Sequence, residues 1–580
     1  MLTIAVDFET YYDKECSVST LGPRGYFSHP NFDAYMVSVV ADDGYEWCGP
    51  PKEFNWNMLA GNFVLSHNAS FDESLYLYGC EQGWWPTAAY SAWHCTADLA
   101  AYCKLPRNLK GAVAALYDVD ISKGTRDAMK NLQWDAMDPD FKEEVIKYAL
   151  DDSRWCLKIW KSLADKWPLT ERYFSEHTRT ICRRGLPVNE ELIESNAAKL
   201  RVLLWEAEQA IPWRDTGALL SRNEANKLCR ATGITPPASW AMGDATTEAW
   251  LDTYSEQFPW VWAVRSYRRV NALLKKIEAF ERGTVDGRYY GGLLYYGAHT
   301  GRFSGSGGNL NLQNLPRGDT FGVNLRSQIQ AGPENTLVIV DLSQIEVRTL
   351  CWLAGDFDTL AEIAASDDMY EVFAIRFGLW SKDRGSLKAN DSALRSLVKG
   401  IVLGCGYGAS TKKFSQIMDC SLEEAEKNVS IYRKSLSKVV ELWKHYERNV
   451  KMACKSKEYN VPLPSGNTMQ YKNLVRAADA VTCTVIRNGK PMIVRPWYGM
   501  ITENCSQSLA RDIFCHQLKQ IEDAGYKIIL HVHDEVVIEV RADLAEAALA
   551  EVIQIMSTAP DWIPNIPLSS EGKISTDYTK

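Results

Sequence analysis

Three acids at the ends of apolar runs define the chemistry open to this sequence. Leu337-Val338-Ile339-Val340 delivers Asp341, and Tyr526 to Val532 leads into His533-Asp534-Glu535, followed by Val536-Val537-Ile538. The apolar runs read as strands, the second pair joined by a tight turn holding Asp534 and Glu535 side by side. Adjacent carboxylates repel and are costly to desolvate, so such a pair needs a cation or full solvation. On its own, an acidic turn is as readily an ordinary surface hairpin. Asp341 at a matching strand exit weighs against that reading. Two or three carboxylates on neighbouring strand ends, facing a cleft, suit a two-magnesium phosphoryl-transfer site.

A second set of acids lies near the amino terminus. Thr3 to Phe8 reads as a strand whose outgoing end carries Asp7 and Glu9, two apart and therefore on one face. A short strand, Phe63-Val64-Leu65, gives way to a helix carrying Asp72 in Asn68-Ala69-Ser70-Phe71-Asp72. A helix from near Phe141 presents Tyr148 and Asp152 four apart, on one face. Each signal is weak alone: Asp-x-Glu is common, and an Asn or Asp before a helix is usually a cap.

The intervening elements supply cations. Trp260 to Phe280 has helical spacing and many Arg and Lys, as for a helix laid along a duplex. From Arg265 to Arg317 nine Lys/Arg stand against three acids, a block that can neutralise phosphates. Thr300-Gly301-Arg302 and Asn311-Leu312-Gln313-Asn314 add glycine for close approach and donors for phosphates or minor-groove acceptors. After Asp341 the chain turns through Gln344 and Glu346 into a helix. Further on, Asp391 or Ser392 caps a helix carrying Arg395, Lys399, Leu403 and Tyr407 at spacing four, on one face. Two cations, then an apolar and an aromatic residue, suit a nucleoside triphosphate. The plainer alternative is a glycine-rich packing helix, since Gly400, Gly404, Gly406 and Gly408 each weaken it by about 1 kcal/mol if exposed.

Bulk properties bound the rest. The 580 residues allow several domains, and 46% hydrophobic with 24% charged residues marks a soluble globular protein. The net charge of -9 argues against a uniform nucleic-acid-binding coat, so local charge decides. The 15 cysteines include no Cys-x-x-Cys, which argues against a zinc module or disulfide framework. Met1 to Val6 meets Asp7 too soon for a signal peptide and no apolar run spans a bilayer, so a cytoplasm is expected, with no membrane partner. No internal repeat is visible.

Asp-x-Glu, then Asn-x-x-Phe-Asp, then Tyr-x-x-x-Asp resemble, in order and spacing, the three motifs of DEDD-type 3′–5′ proofreading exonucleases. The resemblance implies that Asp7, Glu9, Asp72 and Asp152 hold two divalent metals and that Tyr148 orients the attacking water. With Thr300-Gly301-Arg302, the motifs 341–348 and 395–408, Asn504-x-x-Gln507-x-x-x-Arg511-Asp512, and His533-Asp534-Glu535, nearly the whole chain resembles a family A DNA polymerase of the phage-replicase type. No 5′-nuclease segment precedes the exonuclease motifs, which fits that type.

The fold implied is α/β multidomain: a DnaQ-like (RNase H-like) exonuclease over 1–165 and a right-hand polymerase over 166–580. The thumb is expected at about 180–300, the palm at about 300–360 and 455–580, and the fingers at about 361–454. Asp341 and Asp534 become palm metal ligands with Glu535 close by. Arg395 and Lys399 take the incoming dNTP, with Leu403, Gln344 and Tyr370 in the same site. Glu346 is the sugar gate and Tyr407 lies near the template base. Arg302, Asn311, Gln313, Gln507 and His533 touch the primer–template. Cofactors are two Mg2+ per site, with Mn2+ as a substitute. Partners are primer–template DNA and dNTPs, with a processivity factor, helicase or primase as candidates, in a host bacterial cytoplasm if phage-encoded.

Departures are a loop two residues longer between Arg302 and Asn311, Tyr370 where His is common, and Leu403 where Phe or Tyr is usual. A single-subunit RNA polymerase would share the palm acids and the Arg/Lys helix, but Glu346 and the amino-terminal motifs argue against it. A DNA-binding protein with dead sites would have lost carboxylates that are all present.

Overall fold

The computed structural model describes residues 1–121, 124–241, 243–306, 310–477, 480–487 and 490–579. The tip of the lengthened loop after Arg302, residues 307–309, lies outside them.

The amino-terminal layer is a five-stranded sheet of β1 (Thr3–Thr10), β2 (Ala34–Ala41), β3 (Glu46–Gly49), β4 (Phe63–Ser66) and β5 (Ala92–Cys95), ordered β3-β2-β1-β4-β5. β1 runs antiparallel to β2 and parallel to β4. It is central because Ile4, Ala5 and Val6 leave no solvent-facing side in that half of the strand; all three are fully buried. Helices Ala69–Glu81 and Pro139–Leu163 pack on the sheet. The second starts at Pro139, with the Asp138 carboxylate accepting from the Phe141 N–H at 2.9 Å, as a capped, proline-led helix should.

A helical connector beginning near Trp155 and running past Trp167-Pro168 is the expectation; the structure gives it as separate helices. The helix ends at Leu163, a 3-10 turn covers Ala164–Lys166, and Trp167 is extended ahead of Pro168. The proline ring disfavours helical geometry in the residue before it. A new helix, Leu169–Arg184, then links the two halves and stops at Gly185, whose φ is +65°. Helices Glu190–Gln209 and Pro259–Gly283 pair closely as a helical hairpin. The stretch 210–243, loop-rich by sequence, also holds a helix at Arg222–Ala231, tied down by buried Ala225 and Cys229.

The carboxy-terminal half is built on a four-stranded antiparallel sheet ordered Ile528–Val532, Glu535–Arg541, Asn335–Leu342, Ser570–Ser575. Strand Asn335–Leu342 sends Leu337 and Ile339 into one core and Val338, Val340 and Leu342 into another. That second core is closed by the long helix Tyr498–Asp523 through Leu509 and Ile513. Helices between Phe357 and Ala453 surround their own core. A second four-stranded sheet, Glu458–Pro462, Thr468–Ala477, Ala480–Arg487 and Lys490–Val494, is a meander that sequence reading did not anticipate. Among the described residues no helix is long and apolar enough to cross a membrane.

Candidate active sites

The first site lies at the ends of the two central strands of the carboxy-terminal sheet. Asp341 pairs in register with Glu535, so both acids leave the same end of the sheet. The hairpin turn is His533-Asp534, with His533 at φ +57°. The expected side-by-side placing of Asp534 and Glu535 in the turn is corrected: Glu535 already belongs to the next strand and is 3% exposed. It accepts a short hydrogen bond from the Tyr578 hydroxyl. Asp534 stays half-buried at the cleft. Burial first, then the charge of Asp341, push its carboxyl up to about 7, with Arg302 pulling the other way.

The neighbouring residues converge, with several altered roles. Arg302 meets the Glu346 carboxylate at 2.5 Å, and the Tyr407 hydroxyl donates to its other oxygen at 2.7 Å. Glu346 is thus held by two residues assigned elsewhere by sequence. Helix Ser392–Cys405, capped by Asp391, carries Arg395, Lys399 and Leu403 on one side; Lys399 is exposed and Leu403 is 50% exposed. Tyr407 falls beyond the helix end, because the chain turns at Gly406 and at Gly408, whose φ is +76°. Tyr370 is buried beneath the Arg395 guanidinium, 5.1 Å from its ring centre. Its role becomes supporting Arg395, which also grips Asp368 at 2.7 Å.

Gln313 is likewise not an open groove contact. Its amide donates to the His531 carbonyl at 2.6 Å and accepts from the His533 N–H at 3.2 Å, so it clamps the acidic hairpin. Asn311 is exposed and accepts from the Gln313 N–H, shaping that turn. Gln507 donates to Glu503 from a half-buried position on the long helix. Gln344, exposed at φ +48°, starts the helix carrying Glu346.

The second site is in the amino-terminal layer. Asp7 and Glu9 leave β1, Asp72 comes from helix Ala69–Glu81, and Tyr148 and Asp152 from helix Pro139–Leu163. The Asp72 carboxylate accepts from the Phe8 N–H at 3.0 Å, which fixes it beside β1. Burial raises the Asp7 carboxyl well above its usual range, reinforced by Glu9, Asp72 and Asp152. Burial and Asp152 push Glu9 up to about 8, and burial pushes Asp72 up to about 7. Tyr148 is raised by burial and by Asp152, to which it hydrogen-bonds. Asp151 instead pairs with Arg154 at 2.8 Å on the surface, so the acid in register with Tyr148 is the inward one.

Sequence reading missed Arg126, the cation opposing Asp7 and Glu9, because its five-residue helix carries no local motif. It also missed Arg179 and Arg183, which grip Glu73 at 2.7 and 2.9 Å, next to Asp72. Asp7, Glu9, Asp72, Tyr148 and Asp152 line a cavity of about 1480 Å³ whose lining also includes Arg282, Tyr290, Gly291 and Ser304.

Both clusters are all-oxygen and crowded with like charge, the donor set a hard divalent cation prefers. Among the described residues no three His, Cys, Asp or Glu side chains converge into a finished metal cage. Burial first, and then the neighbouring carboxylates, raise Asp7 and Asp534, so each cluster is an environment that a divalent cation would suit.

Residues 219–580 match the model for DNA polymerase family A. A DNA polymerase of Bacillus phage SP02 is 24% identical across 100% of both chains. The thermostable DNA polymerase I of Thermus filiformis is 25% identical, over 76% of this chain and 52% of its own. The POL domain of Pol1 from M. smegmatis, solved in complex with DNA primer-template and dNTP, superposes with a TM-score of 0.70 at 18% identity. That match covers 100% of this chain and 95% of the other, and speaks for the fold. With more than half its length matched by the family model, the chain belongs to the family A DNA polymerases.

Proposed function

We propose that the protein extends a primer on a DNA template with dNTPs and edits the product with a separate 3′–5′ exonuclease, as a phage replicase does. The observation carrying the reading is the presence of two separate carboxylate clusters, one at the amino-terminal five-stranded sheet and one at the sheet holding Asp341. Residues 1–165 would form the exonuclease and 166–580 the polymerase.

In the polymerase, Asp341 and Asp534 would hold magnesium, with Glu535 and Tyr578 bracing the strand end. Arg395 and Lys399 receive the triphosphate. Glu346, fixed by Arg302 and Tyr407, fills the space a 2′-hydroxyl would need. In the exonuclease, Asp7, Glu9, Asp72 and Asp152 would hold magnesium, and the neutral Tyr148 hydroxyl orients the attacking water. Bound metal supplies the Lewis acidity that activates the hydroxyl or water and offsets charge on the leaving oxygen. Primer–template DNA and dNTPs are the partners, and a helicase, primase or processivity factor would be met in the host cytoplasm.

Primer extension with separate dNTP and NTP pools, beside digestion of a labelled single-stranded 3′ end, tests both halves. Extension with dNTPs only and stepwise 3′ trimming, both abolished by chelator, is expected. Extension with NTPs alone would overturn the DNA-polymerase assignment, and absence of trimming would overturn the exonuclease.

A further inference from the structure

The meander sheet carries a surface that neither site uses. Residues 454–497 include seven Lys/Arg (455, 457, 472, 476, 487, 490, 495) against two acids (458, 479), in a chain of net charge -9. Its two faces differ. Cys483 and Val485 point inward, into a core with Tyr446, Val450 and Ile501. In the register Val475 opposes Thr482, Thr484 opposes Ile493, and Ile486 opposes Pro491. Partners across antiparallel strands share a face, so these six make the outward one.

On that face Val475 is 52% exposed and Ile493 is 75% exposed. Among the described residues strand Lys490–Val494 is an edge, paired with Ala480–Arg487 alone. Beyond it come exposed Arg495 and then Trp497, 42% exposed. Trp497 packs edge-on against Tyr498, 5.1 Å between ring centres. The Tyr498 ring lies so close to Gly408 that a Cβ there would meet it at 2.5 Å, and Gly499 abuts both Trp497 and the Tyr407 carbonyl. The surface therefore begins beside Tyr407 and runs outward along the sheet.

We propose that this outward face, with Arg495 and Trp497 just past its edge strand, binds the single-stranded template ahead of the base being copied. The cations answer its phosphates, and the apolar and aromatic groups answer its unstacked bases. A duplex hides its base faces and offers mainly phosphate, so Val475 and Ile493 would find nothing to cover. The surplus of cations likewise favours a polyanion over a protein. The inference rests on the polymerase reading, through the place it gives Tyr407 near the templating base.

The test compares binding and extension on primer–templates with a template overhang of one nucleotide or of about ten, the span of an ordinary single-strand site. The wild type should bind the long overhang at least tenfold more tightly than the short one, and added salt should shrink that gain. Val475→Ser/Ile493→Ser, and separately Trp497→Ala, should lose the gain while keeping wild-type binding and single-nucleotide extension on the short overhang. The serine pair sits at exposed positions, so a retained melting temperature is expected. No gain in the wild type overturns the proposal. Equal loss on both overhangs overturns it too, placing the face against the duplex. Variants that match the wild type on every DNA overturn it and leave the edge to a protein. A wild type that extends the primer on neither overhang would instead strike the polymerase reading itself.

Discussion

At the scale of single residues, the two clusters make separable predictions. Asp7→Ala should abolish 3′ trimming and spare extension, whereas Asp534→Asn should do the reverse. Paired gel assays on both variants decide this, and loss of both activities in either folded variant would merge the sites. Glu346 sits between Arg302 and Tyr407, so Glu346→Ala opens the sugar space and frees two partners at once. Ribonucleotide incorporation relative to deoxyribonucleotide should rise, read as the ratio of kcat/KM values. Leu403, half-exposed on the helix side carrying Lys399, has no polar atom to offer a nucleotide lacking its 3′-hydroxyl. Leu403→Tyr should relax discrimination against dideoxynucleotides by about tenfold, some 1.4 kcal/mol in transition-state terms. The comparison belongs in an exonuclease-deficient background, and an unchanged ratio would turn Leu403 away from the nucleotide.

At the scale of elements, positioning depends on contacts between distant segments. Gln313 ties the loop after Arg302 to the backbone on both sides of Val532. Gln313→Ala leaves buried backbone groups unpaired, at a cost of about 1–3 kcal/mol. Extension kcat should fall with little change in KM for dNTP, because the hairpin carrying Asp534 loosens while Arg395 and Lys399 do not. A second tie joins the end of the linker helix to the end of the long helix. Burial alone would raise the Glu522 carboxyl, but hydrogen bonds from Arg184 and His177 hold it at about 2, below the usual 4.5. A carboxyl so depressed stabilises the fold fully above pH 4.5 and loses that contribution as pH falls towards 2. Glu522→Gln should therefore lower the melting temperature at neutral pH, with the gap to wild type closing between those limits.

At the scale of the molecule, the two halves are joined through the linker helix by buried charge. Glu171 on that helix meets Arg511 of the long helix at 2.5 Å, with both side chains 5% exposed or less. Arg511 also touches Asp512, and about two turns beyond Glu171 on the linker helix Arg179 grips Glu73 in the amino-terminal layer. Removing one partner of a buried pair strands the other, so Glu171→Ala should cost about 3–5 kcal/mol. The exposed pair Lys519–Asp523, at 2.5 Å on the same long helix, is worth under about 1 kcal/mol. Denaturant midpoints of Glu171→Ala and Asp523→Ala should differ accordingly; equal shifts would deny the linker helix its bracing role.

The sequence by itself determined whatever depends on local period and order. Asp341 and Asp534 close apolar runs, so their place at strand exits follows from alternation and length. Arg395, Lys399 and Leu403 share a side because a helix repeats every 3.6 residues. Tyr148 selects Asp152 over Asp151 for the same reason. Local rules fail where the chain stops being regular: Tyr407 leaves that helix at Gly406, and Glu535 enters a strand where it was expected in the tight turn beside Asp534. Only the tertiary structure decided which distant groups meet. Gln313 clamps His531 and His533 across more than two hundred residues, Tyr578 reaches Glu535 from the chain's end, and Arg302, Glu346 and Tyr407 converge from three segments. Such contacts follow from sheet order and helix packing, where burial of the whole apolar surface selects one arrangement and no short stretch encodes the partner.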